Sequence, residues 1–142
     1  MKTLKIQTLE KGWCDKDYVL LHAAFQLLVD FVEQEHPDKI VDWTWNAEYR
    51  RAWKEITSLY RWWKKERPAR KSPLDDKKLR RPPFRFKKVP GSDLLTLVEV
   101  DRKKYAEYYR ALKIDAALEK KWFEEDQRNL HRLIEIRSHL WT

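Results

Sequence analysis

Apolar residues recur at helical spacing over three long stretches of this chain. In "DKDYVLLHAAFQLLVDFVEQEHP", Tyr18, Leu21, Phe25, Leu28 and Val32 form one stripe, and Leu20, Ala24, Leu27 and Phe31 form another. Two stripes cover so much of the circumference that this helix is expected to be buried on most sides, at the centre of the fold. Asp15 or Asp17 can accept bonds from the unpaired N–H groups of its first turn, and Pro37 marks its end. "NAEYRRAWKEITSLYRWWKKERP" predicts a second helix, capped by Asn46 and stopped by Pro68. Its seam is Tyr49, Trp53, Ile56, Tyr60 and Trp63, with Ala52 and Leu59 beside it; Trp62 falls on the polar side, near Arg51, Glu55 and Ser58. Between Asp101 and the end there is neither Pro nor Gly, which predicts two helices, or one kinked helix, over 101–140, with Asp101 as the cap.

Two short stretches alternate instead. "KTLKIQT" puts Leu4 and Ile6 on one face, and "DLLTLVEV" is a second candidate strand that can pair with it. Trp43 and Trp45 flank Thr44, so an extended backbone would aim both rings the same way. The fold class expected is mainly α. It is a small helical domain, 1–142, with a buried central helix, room for one short two-stranded β element, and a long basic Pro-rich loop or arm over 67–91.

Composition agrees with a folded chain. A length of 142 residues suits one domain with a real core. Eight tryptophans argue against disorder, and two glycines argue against a hairpin-rich β architecture. A single cysteine, Cys14, leaves no intramolecular disulfide and no Cys-cluster zinc site. The opening "MKTLKIQTLEKGWC" shows no signal-peptide core, and no apolar run reaches the about 20 residues that span a bilayer. A cytoplasmic protein with no membrane partner is expected.

Charge changes the picture most. Residues 67–91 hold ten basic side chains, five prolines and only Asp75 and Asp76 in opposition, a net +8 that equals the charge of the whole chain. Cations at this density release counterions from phosphates and so drive nucleic-acid binding. The candidate contacts are Arg67, Arg70, Lys71, Lys77, Lys78, Arg80, Arg81, Arg85, Lys87 and Lys88, with Phe84 and Phe86. In an extended "PPFRFKK" the two phenylalanines point one way and Arg85 and Lys87 the other. Their rings either stack on bases or pin the segment to the protein's own core; core packing is the commoner outcome for such residues. Arg50, Arg51, Lys54, Arg61, Lys64 and Lys65 on the second helix can extend the basic surface. Arg61, Trp62, Lys65 and Trp141 form a candidate protein interface, since Trp and Arg dominate such contacts.

Other chemistry finds little support. His131, Glu135 and His139 step by four, but the outer two lie about 12 Å apart along a helix, too far for one ion. No Gly-rich phosphate loop can be built. Glu124, Glu125 and Asp126 are consecutive and diverge on a helix, so they suit charge balance on a solvated surface rather than shared acid–base work. No catalytic residue, metal or cofactor is expected.

Four stretches, "WCDKDYVLLHAAFQLLVDFVE", "RAWKEITSLYRWWKKERP", "VPGSD" and "LHRLIEIRSHLWT", resemble small uncharacterised proteins encoded by tailed bacteriophages. The resemblance spans most of the chain. It carries no functional residue across, and implies a phage context in the cytoplasm of a bacterial host, with nucleic-acid handling or interference with a host machine. The expected function is a non-enzymatic module that binds nucleic acid or a ribonucleoprotein through the basic arm. The alternative is a protein-interaction factor that inhibits a host defence complex through its aromatic and arginine anchors.

Overall fold

The computed structural model describes residues 3–141. It is mainly helical, with one two-stranded antiparallel sheet. The length predicts one domain, yet the chain divides into two compact units: one comprises the residues up to Arg70 and those from Phe123 onward, the other spans Lys71–Trp122.

The first unit holds helix α1 (Lys16–Gln34), the short helix α2 (Pro37–Ile40) and helix α3 (Ala47–Arg61). α1 buries Leu21, His22, Phe25, Gln26, Leu28, Val29 and Phe31. The buried face draws on both stripes read from the sequence: Phe31 of the second is buried, whereas Tyr18 of the first and Leu20 and Leu27 of the second are exposed. Asp15 occupies the N-cap position without a side-chain bond to the first turn. The helix stops before Pro37 because the residue ahead of a proline is driven out of helical geometry. Here that residue, His36, takes a left-handed conformation (φ 50°). Pro37 then opens α2, where its missing N–H costs nothing.

Trp43 and Trp45 part company. Asp42 accepts bonds from both the backbone N–H and the hydroxyl of Thr44, folding a tight turn that breaks the extended alternation. Trp43 is therefore buried, donating to the Pro37 carbonyl at 3.0 Å, while Trp45 is left exposed. Asn46 caps α3 by accepting from the Tyr49 N–H at 2.8 Å. Ala52, Ile56 and Leu59 of α3 join the α1 face, together with Leu133 and Ile136, in one apolar core.

α3 does not run on as α-helix to Pro68. It widens into a π-helical turn over Trp62–Glu66, closed by the Arg67 N–H on the Trp62 carbonyl. The wider turn brings both Trp62 and Trp63 into the core, where Phe25 stacks on Trp63 at 4.5 Å and meets Trp62 at 5.2 Å. Each such aromatic contact adds about 1 kcal/mol to what ring burial alone supplies.

A single helix, α4 (Ala106–Glu135), replaces the two helices or kinked helix expected over 101–140, and a 3₁₀ turn comes after it at Arg137–His139. Its residues from Phe123 belong to the first unit and the earlier ones to the second. Asp101 does not cap it directly. Its carboxylate accepts from the Lys103 N–H in a turn that precedes the helix.

In the second unit a 3₁₀ turn at Pro73–Asp75 is closed by a capping box: Ser72 accepts from the Leu74 N–H, and Asp75 accepts from the Ser72 N–H. The Ser72 hydroxyl also bonds Asp115 of α4, and Arg81 donates to the Leu74 carbonyl. Strands β1 (Phe86–Lys88) and β2 (Leu95–Leu97) then form a hairpin, with Phe86 opposite Leu97, Lys87 opposite Thr96 and Lys88 opposite Leu95. The strand in "DLLTLVEV" thus pairs with the basic segment and not with the N-terminal stretch, whose described residues 3–8 form no strand. "VPGS" explains the choice. Pro90 and Gly91 suit the second and third positions of a type II turn; Gly91 supplies the positive φ (75°) and the Ser92 N–H reaches the Val89 carbonyl.

Candidate nucleic-acid interface

The basic segment does not behave as one piece. Arg67 and Arg70 belong to the first unit and are turned inward. Arg67 forms a two-pronged pair with Asp126 (3.2 and 3.1 Å) and lies over the Trp63 ring at 4.8 Å. Arg70 bonds Asp126 at 2.7 Å and Glu125 at 2.9 Å. Their side chains are only 16% and 15% exposed. Burial works against the Arg67 charge, but the bonds it donates to Asp126, with a further contribution from Tyr18, more than offset it, and its pKa stands above the ordinary value. Both guanidinium groups are thus engaged by carboxylates of the first unit, which sets them apart from the other candidate phosphate contacts.

The same cluster corrects two further expectations. Trp62 is 4% exposed and donates its indole N–H to Glu125 at 2.8 Å, so it is no surface anchor. Glu125 and Asp126 are not solvated charge balance; they hold the chain that leaves α3. The polar strip of α3 on which Trp62 falls is itself an interface. Arg132 clamps Glu55 at 2.7 and 3.1 Å and reaches Ser58 at 3.2 Å, and it pulls the Glu55 carboxyl below its usual range. On α1, His22 is buried and bonded through Nδ1 to Thr8 Oγ1 at 2.6 Å. Among the described residues its Nε2 has no hydrogen-bond partner. Burial first, and then the Arg67 charge, push its pKa down to about 4.

The remaining candidates lie in the second unit. Lys71, Lys77, Lys78, Arg80, Arg81, Arg85, Lys87 and Lys88 are all exposed. Among the described residues none of them takes part in an ion pair; every ion pair lies in the first unit. Arg80 rests over the Tyr105 ring at 5.7 Å, which orients its charge without neutralising it. The unit as a whole carries 15 Lys and Arg against 8 Asp and Glu, a net charge of +7. No carboxylate occurs between Lys77 and Ser92.

Phe84 and Phe86 are not drawn into the core as such residues usually are: they are 77% and 62% exposed. Leu94, Leu95 and Leu97 are exposed with them, and the sequence reading missed these. Pairing "FRFKK" with "LLTL" about the Pro90–Gly91 turn would have placed them. Also missed were Arg102, Lys103 and Lys104, three further exposed cations in the same unit.

Of the candidate interface residues, Arg61 reaches Glu66 at 3.1 Å on the surface, and Lys65 and Trp141 are exposed. In the first unit a cleft of about 570 Å³ is lined by Glu48, Arg51, Glu55, Glu135 and His139. Some of its polar groups are already engaged: Glu55 is held by Arg132, and His139 Nε2 lies 3.4 Å from Glu48. Among the described residues no three His, Cys, Asp or Glu side chains converge where they could hold a metal ion. No helix among them is long and apolar enough to cross a membrane.

No family model matches the chain, and neither a curated protein nor a solved structure matches it.

Proposed function

We propose that this protein is a non-enzymatic binding module for nucleic acid or a ribonucleoprotein, and that the second unit makes the contact. In this reading α1 is the central helix of a supporting body, and residues 71–88 are the working part of the basic Pro-rich arm. The observation that carries it is the set of eight exposed cations from Lys71 to Lys88, which meet no carboxylate of their own chain among the described residues. Unneutralised cations at this density bind phosphates largely without regard to sequence. The resemblance to small tailed-phage proteins adds support, and with it a cytoplasmic setting in a bacterial host.

The test is equilibrium binding of the full chain to a mixed-sequence oligonucleotide between about 50 and 200 mM salt. Six or more phosphate contacts should lower the affinity about a thousandfold over that range. A flat titration, or no binding, refutes the reading.

A second reading is a protein-interaction factor that inhibits a host defence complex. It loses Trp62 as an anchor and rests on exposed Trp141 with Arg61. Association with a host complex that Trp141→Ala abolishes, and that neutralising residues 77–88 leaves intact, would favour it.

A further inference from the structure

Phe84 and Phe86 are the only described aromatic residues of the second unit that are exposed; Tyr105, Tyr108, Tyr109 and Trp122 are all partly covered. The hairpin explains why at least one ring stays open. Phe86 faces Leu97 across the strands, and the bonds from Val98 N–H to Arg85 and from Val89 N–H to Leu94 make this a close, non-hydrogen-bonded pair. The ring is propped by a neighbour on its own sheet face and remains 62% exposed. Phe84 lies two residues before β1, and two residues of extended chain span about 7 Å.

The cations are interleaved with the rings. Arg85 and Lys87 alternate with Phe84 and Phe86, and Lys88 shares a face with Phe86. This order of ring, charge, ring, charge matches a polymer that alternates base and phosphate. An isolated two-stranded hairpin with an open apolar face is only marginally stable in water, so a ligand that covers the rings adds stability to it. A duplex cannot do so, because its base faces are hidden in the stack and opening a step costs a few kcal/mol. Unpaired bases present those faces freely.

We infer that the ligand is single-stranded nucleic acid, whose bases stack on Phe84 and Phe86 while Arg85, Lys87 and Lys88 hold the flanking phosphates. This rests on the proposed nucleic-acid reading and narrows it. The charge around the rings favours this occupant over a neutral apolar partner.

Fluorescence anisotropy of the full chain tests it, with 20-nucleotide mixed-sequence single strands of DNA and RNA and a duplex of the same length. In the wild type the single strands should bind more tightly than the duplex. The double substitution Phe84→Leu with Phe86→Leu keeps apolar area and removes the ring faces. It should weaken single-strand binding at least about tenfold, leaving duplex affinity and the salt slope unchanged. Phe84→Tyr with Phe86→Tyr should restore binding. Amide protection at Val89 and Val98 checks that the hairpin is still formed. Equal wild-type affinity for strand and duplex, or full single-strand affinity in the leucine variant, overturns the inference and leaves the electrostatic reading standing. Binding to neither form overturns both. Binding to phosphatidylserine vesicles that survives in the leucine variant, without single-strand binding, likewise overturns both in favour of a membrane surface.

Discussion

The two units use the same residue types to opposite ends. In the first, 16 Lys and Arg meet 15 Asp and Glu, and cations such as Arg67, Arg70 and Arg132 close bonds onto Asp126, Glu125 and Glu55. Aromatic rings there stack on one another: Phe25 on Trp63, Trp43 on Trp53. In the second unit 15 cations find no ion pair among the described residues, and two phenylalanines stand in solvent. Arginine beside an aromatic ring is thus no signature of a binding surface by itself. The partner carboxylate decides, and 63 residues of chain separate Trp62 from the Glu125 that claims it.

Four perturbations should tell the units apart. Phe25→Ala removes a fully buried ring from the first unit and should cost about 3–5 kcal/mol of stability by urea unfolding, with no change in the salt slope of oligonucleotide binding by the protein that remains folded. Acid comes next. His22 binds a proton near 6.5 when unfolded and only near 4 when folded. The unfolded state therefore takes up more protons in between. The contribution of His22 is therefore fully present above pH 6.5 and is lost as pH drops toward 4, at most about 3 kcal/mol. Urea midpoints across that window should flatten in His22→Leu. Replacing Lys77, Lys78, Arg85, Lys87 and Lys88 by Gln should weaken oligonucleotide binding about a hundredfold and lower the duplex salt slope by up to about 4, while the urea midpoint stays within error. The smallest effect belongs to Gly91→Ala. A side chain at positive φ costs about 1–2 kcal/mol, and hydrogen exchange at Val89 and Val98 should quicken without any change in first-unit amides.

Helix existence was legible because it depends on local periodicity. Residues 47–61 and their Asn46 cap read off directly, as did the stop before Pro37. What escaped were pairings across long separations. The partner of "LTL" was decided by a turn only a few residues away, yet alternation alone favoured "KTLKIQT" equally well. Trp62 was misplaced because a polar strip on a helix looks alike whether water or Arg132 faces it, and because no pattern announces a π turn. For the candidate site, the cations from Lys71 to Lys88 were found by composition. Burial of Arg67 and Arg70 was invisible until Asp126 was brought to them.

The widened turn after α3 behaves as a phase shifter. It absorbs an extra residue, so the chain beyond it meets the core with a new rotational offset. Deleting a single residue from Trp62–Glu66 would swing the side chains up to Arg70 by about 100° and strand both guanidinium groups away from Asp126. Chain length at this point is therefore constrained together with the identities of Trp62 and Trp63.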